Sequence, residues 1–391
     1  MKYMEVVMSI PRFAFMIHPR NAKDIGRRIG NMIGIGENLG IKITPNSLVE
    51  KTILKKLSGR AGFTVAASDI NIWGQAKGYL IGVLLTSQQM KDYPKLAYHR
   101  ILEAMKFASN ELGVDRIGLG AYTAPFTGNG VNAVREFKKE GIETSITHGD
   151  SFSGYSPIPA IEETIKLRNL KVEELNIAVV GAYGVVGRPA ALFASELNPR
   201  KLILTGPSKN KLSKVSKEAE NHSQGVEVIA STDNNLIGMA DIIVTCTTDP
   251  GAIISPEILK EEAIVVDMAQ PVNMGPEVCK ARPRVLRVDG GYMKIPDVDM
   301  KFNMGTPPGT TFACMAETIV STIVGDTEHR VGKVDLEYAR FIATEAKKMG
   351  VVLAPLTNFS KPLLEAEREI KGSGAIFEGK GRLAERFASF L

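Results

Sequence analysis

Three glycines in the middle of the chain have the spacing of a phosphate-binding turn. Gly181, Gly184 and Gly187 follow the apolar run Ile177 to Val180 and precede a helix-like segment, Arg188 to Leu197. Glycines let the backbone approach a pyrophosphate, and the N–H groups at a helix N-terminus carry partial positive charge. The pattern therefore predicts a dinucleotide site, and the alternative is an ordinary strand-to-helix turn.

A cysteine near the start of a second predicted helix is the candidate nucleophile. Cys314 lies in the first turn of the segment Thr310 to Val324. A helix N-terminus lowers the pKa of a thiol, and the thiolate is the reactive form in covalent catalysis. The alternative is a buried, unreactive thiol. Cys246 and Cys279 are less favoured, and three scattered cysteines without a C-x-x-C spacing predict neither disulfides nor a metal site.

Polar residues that could assist the cysteine lie in two other segments. The predicted loop Thr147 to Tyr155 contains Asp150, Ser151 and Ser153. Its serine hydroxyls could stabilise an oxyanion, and Asp150 could orient a donor or cap the next helix. His18 ends a predicted strand and could act as a general acid because its side chain titrates near neutrality; the alternative is a histidine whose ring bonds to the backbone.

The residues after the second strand of the nucleotide unit bear on the choice of cofactor. Folds that bind NAD place an acidic residue at the end of this strand. Here Lys201 to Thr205 is followed by G-P-S-K-N-K, so the sequence predicts NADP, with its 2′-phosphate near Ser208, Lys209 or Lys211; the alternative is a pair of surface lysines. The other predicted cofactor-binding residues are Tyr183, Val185, Val186, Thr205, Thr247, Gly290 and Gly291.

Composition and charge exclude several classes of protein. The 391 residues have room for two or three packed units. The formal net charge of +5 is spread along the chain without a long basic block, so we expect no nucleic-acid partner. The N-terminal apolar stretch is interrupted by Glu5, Pro11 and Arg12, which predicts neither a signal peptide nor stable membrane insertion, and we expect a cytoplasmic protein.

Strand and helix patterns alternate along the chain, which predicts an α/β fold. We expect an N-terminal α/β substrate domain over 1–155 and a Rossmann-like, doubly wound parallel-sheet domain that binds NADP over 156–310. The remainder, 311–391, holds the Cys314 helix and C-terminal helices that pack back on the cleft. Predicted strands are Arg12 to Ile17, Phe63 to Ala67, Gly78 to Leu85, Ile117 to Gly120, Ile242 to Cys246, Ala263 to Val266 and Val285 to Val288; further predicted helices are Asn21 to Gly30, Ala97 to Leu112, Val131 to Gly141, Ala160 to Leu170, Val334 to Met349 and Leu363 to Ile370.

Several of these segments together resemble the cyanobacterial long-chain acyl-(acyl-carrier-protein) reductase family. The F-A-C-F-A-E segment of that family is similar to Phe312 to Glu317, F-A-C-M-A-E, and the family's acyl-accepting cysteine falls on Cys314. Two departures are Ser208, where the family has an asparagine, and Phe152, where it has a histidine. The other similar segments are Phe15 to His18, Ala22 to Gly30, Gly118 to Pro125, Thr147 to Tyr155, Gly181 to Gly187, and the pair Gly290 and Gly291.

This resemblance implies NADPH-dependent reduction of an acyl thioester to an aldehyde through a thioacyl intermediate on Cys314. The substrate would be carried by acyl carrier protein or coenzyme A, and the protein could form a homo-oligomer. Two other functions remain open: a shikimate-dehydrogenase-like NADP-dependent oxidoreductase without covalent catalysis, and a non-catalytic NADP-binding regulatory protein.

Overall fold

The computed structural model describes residues 9–19, 62–247, 254–269 and 272–363. Two sheets organise these residues, and the fold is α/β with a Rossmann-like parallel sheet, as the sequence predicts. The predicted helix Asn21 to Gly30 and nearly all of the predicted helix Leu363 to Ile370 lie outside the described residues. None of the helices in the described ranges is long and apolar enough to cross a membrane.

The first sheet contains five strands in the order β2-β3-β1-β4-β5. Strand β2 pairs antiparallel with β3, and the other neighbours pair in parallel. Both faces are buried: Ala14 and Met16 face one apolar cluster, whereas Phe13 and Phe15 face another. Its elements are β1 (Arg12–Ile17), β2 (Phe63–Ile72), β3 (Ala76–Val83), α1 (Ser87–Asp92), α2 (Pro94–Asn110), β4 (Arg116–Leu119), α3 (Thr123–Phe126), α4 (Val131–Lys139) and β5 (Ser145–Thr147).

The second sheet contains six parallel strands in the order β11-β10-β9-β6-β7-β8. The strand order reverses between β6 and β9, where open α/β sheets bind their ligands. Its elements and the helices leading to it are α5 (Asp150–Tyr155), α6 (Pro157–Arg168), β6 (Asn176–Val180), α7 (Gly187–Glu196), β7 (Lys201–Thr205), α8 (Lys209–His222), β8 (Glu227–Ser231), β9 (Ile242–Thr245), β10 (Ile264–Asp267), α9 (Pro276–Ala281) and β11 (Leu286–Asp289).

The C-terminal elements return to the first sheet. Helix α10 packs on β1, β3 and β4, and the contact with β4 is so close that a β-carbon on Gly118 would lie 2.1 Å from Oγ1 of Thr318. A glycine at 118 is what lets this helix approach the strand. The elements are β12 (Tyr292–Lys294), β13 (Thr310–Phe312), α10 (Ala313–Ile323), α11 (Leu336–Lys348), β14 (Val352–Leu353), β15 (Thr357–Asn358) and β16 (Lys361–Pro362).

The structure corrects two predicted elements near the cleft and adds one strand that was not predicted. The segment Thr147 to Tyr155 is mostly not a loop, because Thr147 ends β5 and α5 begins three residues later, at Asp150. Its serines and glycines have modest helix propensity, but packing against α7, α10 and α11 stabilises the helix. The predicted helix from Thr310 begins at Ala313, since its first three residues pair with β12. Strand β8 has no counterpart among the predicted strands, and its pattern E-V-I-A-S is only half-buried.

Candidate active site

The glycine loop joins β6 to α7, and only glycine fits at its two ends, positions 181 and 187. Gly181 has φ +78°, and a β-carbon on Gly187 would lie 2.1 Å from the carbonyl oxygen of Gly181. Gly184 donates its N–H to the same carbonyl at 2.9 Å. The loop therefore places the N-terminus of α7 at the carboxyl end of β6, where this fold receives a pyrophosphate. These residues fit a dinucleotide.

The predicted 2′-phosphate residues lie at the start of α8, which follows β7, and one of them lies beside Tyr183. Nζ of Lys211 lies 5.3 Å from the centre of the Tyr183 ring, and a β-carbon on Gly206 would come within 2.8 Å of that ring. Ser208 is the N-cap residue of α8 and its side chain makes no capping bond, while Lys209 is the first residue of the helix. Two lysines and a hydroxyl at one helix N-terminus suit a phosphate group.

The remaining predicted cofactor residues take different positions around the loop. Thr247 lies against Gly181, because a β-carbon on that glycine would come within 3.2 Å of the Thr247 β-carbon. Thr205 is fully buried, and its hydroxyl donates to Oδ1 of Asn234 at 3.0 Å, so its side chain bonds within the protein. Val185 packs partly buried against the core of the nucleotide sheet, and Val186 is the N-cap residue of α7.

The glycine pair after β11 connects the nucleotide sheet to the cysteine helix. The carbonyl of Gly291 accepts the N–H of Ala313, the first residue of α10, at 2.8 Å. A β-carbon on Gly290 would lie 2.2 Å from the sulfur of Met268, which follows β10. The start of α10 is thereby fixed at the carboxyl edge of the sheet that carries the glycine loop.

Helix α5 bridges the candidate nucleophile and the glycine loop. Gly149, immediately before α5, touches Cys314: a β-carbon at 149 would lie 2.4 Å from the β-carbon of Cys314. Near its other end, a β-carbon on Gly154 would lie 2.3 Å from Cγ of Pro189 and 3.4 Å from the carbonyl oxygen of Val186. The six-residue helix α5 thus reaches from the neighbourhood of Cys314 to the start of α7.

The thiol of Cys314 is not activated in the way that its helix position suggested. Burial, with the Asp150 and Glu317 carboxylates, raises the pKa of Cys314 to about 12. The main-chain N–H groups of Met315 and Cys314 oppose this rise in pKa but do not outweigh it. The expectation of a lowered pKa is wrong for the protein alone, because burial penalises the thiolate more than the helix terminus stabilises it. Cys314 therefore needs a base to become nucleophilic.

A buried carboxylate holds α5 to α10. Glu317 is fully buried and lies one turn after Cys314 on the same helix. It accepts the hydroxyl of Thr147 at 2.5 Å and the N–H of Phe152 at 2.8 Å. The Thr147 hydroxyl in turn accepts the N–H of Gly149 at 3.1 Å. These three bonds fix the contact between Gly149 and Cys314.

Asp150 and His148 form a pair beside the thiol. The N–H of Asp150 donates to Nδ1 of His148 at 2.9 Å, and the Asp150 carboxylate lies 3.5 Å from the same nitrogen. Burial raises the pKa of Asp150 to about 7. Burial also lowers the pKa of His148, an effect that Glu317 opposes. Near neutral pH the pair therefore consists of a partly ionised carboxyl group on Asp150 and an uncharged imidazole on His148.

Two other predicted catalytic residues form hydrogen bonds with the main chain. Ser153 lies on α5 and donates its hydroxyl, at 2.9 Å, to the carbonyl of Gly149, the residue that contacts Cys314. Nε2 of His18 accepts the N–H of Tyr122 at 3.2 Å, and its Nδ1 lies 3.0 Å from the carbonyl oxygen of Pro19. Both ring nitrogens of His18 therefore face the main chain, as in the alternative of a histidine whose ring bonds to the backbone.

Comparison with known proteins shows a distant similarity to an acyl-carrier-protein reductase. No family model matches the chain. The long-chain acyl-[acyl-carrier-protein] reductase of Synechococcus elongatus is 27% identical over 240 residues, 59% of this chain and 68% of that protein. The chain is distantly similar to that reductase.

Two further similarities are weaker. The aminotransferase PigE of a Serratia species is 24% identical over 260 residues, which make up 64% of this chain but only 29% of that protein. Among solved structures, L-tryptophan dehydrogenase of Nostoc punctiforme aligns over 93% of this chain and 87% of that chain, with 14% identity and a TM-score of 0.42.

Sequence reasoning missed two residues that the structure brings to Cys314. Glu317 lies three positions after the cysteine, and residues i and i+3 of a helix share a face, so the F-A-C-M-A-E segment already carried the signal. For His148 the signal is weaker, because the polar, glycine-containing segment H-G-D-S predicts a loop. In the folded chain, His148 lies between the end of β5 at Thr147 and Gly149, the N-cap residue of α5.

Proposed function

We propose that this protein is an NADPH-dependent reductase that converts an acyl thioester to an aldehyde through a thioester on Cys314. The observation that carries the proposal is the position of Cys314. Its helix begins on a hydrogen bond to Gly291 at the edge of the nucleotide sheet, and the six-residue helix α5 connects the thiol to the glycine loop. A nucleophile and a dinucleotide would meet at one cleft.

We assign Asp150 as the base, because its carboxylate is close enough to act electrostatically on the Cys314 thiol. The pKa of Cys314, about 12, leaves the sulfur protonated near neutrality, whereas a carboxyl whose pKa is about 7 is partly ionised there. Asp150 accepts the S–H proton while the sulfur attacks the acyl carbonyl carbon. The carbonyl π electrons move to oxygen, and the carrier thiolate then leaves as the carbonyl re-forms.

The oxyanion formed during attack needs hydrogen-bond donors close to the sulfur. The main-chain N–H groups of Cys314 and Met315 interact with the sulfur and occupy the first turn of α10, where N–H groups have no partner within the helix. Ser153 can add a hydroxyl if it turns away from the Gly149 carbonyl. Bound NADPH supplies hydride for the reduction step.

The surroundings of Cys314 suit an apolar acyl group. Cys314 packs, partly buried, against an apolar cluster that includes Phe15 and Ile319. Partly buried Met300, Phe302 and Met304, from the segment before β13, join the same cluster. The name of the Synechococcus relative supports an acyl thioester as substrate, and an acyl carrier protein as its carrier.

We also propose the domain boundaries that the sequence predicts. The substrate domain would end near residue 155, and the NADP-binding domain would end near residue 310.

A coupled assay tests this function. Purified protein is incubated with NADPH and acyl-CoA or acyl-ACP of graded chain length, and NADPH loss is compared with aldehyde trapped as a hydrazone. The proposal expects equal amounts of both from at least one thioester and none from the Cys314→Ala variant. Turnover that persists in Cys314→Ala would instead favour an oxidoreductase without covalent catalysis.

A further inference from the structure

The 298–304 segment, between β12 and β13, lays a row of apolar side chains on the cluster against which Cys314 packs. Val298, Met300, Phe302 and Met304 are half-buried on that cluster, whereas the three residues between them are exposed. Such an alternation is typical of an extended chain with one buried face. The segment therefore covers the apolar surroundings of the thiol from outside.

The segment is attached mainly through side chains and carbonyl groups. Nζ of Lys301 donates to the carbonyls of Ser68 and Asp69 on β2, at 3.3 and 2.8 Å. The indole N–H of Trp73 donates to the carbonyl of Pro296, just before the segment, at 2.8 Å. The segment itself forms neither a strand nor a helix. It can therefore separate from the cluster without breaking a sheet, unlike the strands beneath it.

One end of the segment lies toward the start of α10. The carbonyl of Gly305 accepts the hydroxyl of Ser360 at 3.3 Å, and that hydroxyl lies 3.2 Å from the hydroxyl oxygen of Tyr292. The Tyr292 ring packs edge-on against Phe312, the N-cap residue of α10, with ring centres 5.4 Å apart. Met304, which precedes Gly305, is thus the residue of the row nearest to that helix start.

The other end of the row lies over β2. Met300 directly precedes Lys301, whose ammonium group is bonded to β2. Strand β2 lies at one end of the sheet order, and α10 packs on β1, β3 and β4. Counted from Cys314, the order is therefore Met304, Phe302 and Met300. Methionine side chains are unbranched and adapt to partners of different shape, so this row suits an apolar chain of variable length.

We propose that the hydrocarbon chain of the acyl thioester lies between this segment and the cluster, so that Met304, Phe302 and Met300 determine which chain lengths bind. The inference rests on the proposed function, which places the acyl group on Cys314. A chain attached there passes Met304 first and reaches Met300 only if it is long. Each further methylene group that is buried strengthens binding.

The one tryptophan of the chain, Trp73, supplies a probe that does not depend on catalysis. Its indole is bonded to Pro296 at the start of the segment, so a chain that moves the segment should change its fluorescence. In full-length Cys314→Ala, acyl transfer to position 314 cannot occur, and titration measures equilibrium binding of octanoyl-CoA and palmitoyl-CoA below their micellar concentrations. We expect palmitoyl-CoA to bind at least roughly tenfold more tightly.

Truncation along the row should have graded effects. Added to Cys314→Ala, Met300→Ala should weaken palmitoyl-CoA about tenfold and leave octanoyl-CoA unchanged, whereas Met304→Ala should weaken both. The matched control is Met349→Ala, since Met349 is half-buried on the same cluster but ends α11. It should leave the ratio of the two dissociation constants unchanged. Partial unfolding of a variant does not alter this ratio, because both ligands are measured on one preparation.

The outcomes separate this inference from the proposed function. Equal weakening of the two acyl-CoAs by Met300→Ala would overturn the inference, and so would Trp73 fluorescence that responds to neither ligand. If the wild type forms no acyl adduct by intact mass, although the two acyl-CoAs bind in the expected pattern, the proposed function fails and the hydrocarbon site stands.

Discussion

Gly149 lies against Cys314 so closely that no side chain fits between the two backbones. A β-carbon at position 149 would come within 2.4 Å of the Cys314 β-carbon and 2.5 Å of its α-carbon. Gly149 also has φ +75°, a conformation that other residues adopt only at a cost. The contact joins the segment that carries His148 and Asp150 to the helix that carries the thiol.

Gly149→Ala should therefore disturb both stability and the thiol. The left-handed backbone costs about 1–2 kcal/mol, and the overlap with Cys314 adds to this, so we expect a loss of about 3 kcal/mol or more in unfolding free energy. The matched control is Gly141→Ala, because Gly141 has φ +68° with nothing within 4 Å of a β-carbon. Urea denaturation of both variants checks this. Equal losses would contradict the close contact.

Two substitutions in the glycine loop should separate folding from cofactor binding. Gly187→Ala places a β-carbon 2.1 Å from the Gly181 carbonyl oxygen, so it should lower both the melting temperature and NADPH affinity. At Gly184 the nearest atom would be 3.2 Å away, so Gly184→Ala should retain most of the stability while its methyl group obstructs the pyrophosphate. Thermal unfolding and NADPH fluorescence titration measure the two effects. Unchanged NADPH affinity in both variants would remove the loop from the site.

The lysines at the start of α8 should determine the preference for NADPH. Loss of both charges in Lys209→Ala with Lys211→Ala should weaken NADPH about tenfold, roughly 1.4 kcal/mol, with a much smaller effect on NADH. Lys217→Ala, two turns further along the same helix, is the matched control and should leave the ratio of the two dissociation constants unchanged. A double variant with the wild-type ratio would show that the 2′-phosphate binds elsewhere.

The burial of Asp150 should make stability fall as the pH rises. Its pKa is about 7 in the folded protein and near 4 in the unfolded chain, so between these values the folded state binds the extra proton. Stability from this carboxyl is thus greatest below the unfolded pKa and decreases as the pH rises through 7.

Asp150→Asn should remove that contribution. Between pH 5 and pH 8 the unfolding free energy of the wild type should fall by roughly 2.5 kcal/mol relative to the variant. Urea denaturation of both proteins at the two pH values measures the difference. Parallel pH dependences would mean that Asp150 keeps an ordinary pKa and is not desolvated beside the thiol.

The sequence was sufficient for much of the fold because its strands are strongly apolar. The runs at β6, β7, β9, β10 and β11 are short and nearly continuous, as buried parallel strands require, and the glycine spacing after β6 located the nucleotide loop. Weakly patterned elements were not found, such as β8, whose side chains are largely half-buried.

The candidate site was harder to predict, since it depends on contacts between distant segments. The sequence of α5, D-S-F-S-G-Y, predicts a loop because it is polar and contains glycine, and only packing against α7, α10 and α11 explains the helix. The rise in the pKa of Cys314 could not be predicted either, because it depends on burial and on Asp150, which only the folded chain brings to the thiol. Helix position alone gave the wrong direction.

The most direct test of the account is the mass of the intact protein after incubation with a long-chain acyl-CoA in the absence of NADPH. We expect one acyl adduct on the wild type and on Cys246→Ala, none on Cys314→Ala, and release of the adduct as aldehyde when NADPH is added. Cys246 is a suitable control because burial raises its pKa to about 12 as well. An adduct that persists in Cys314→Ala, or no adduct with any acyl thioester despite NADPH binding, would contradict covalent catalysis by Cys314.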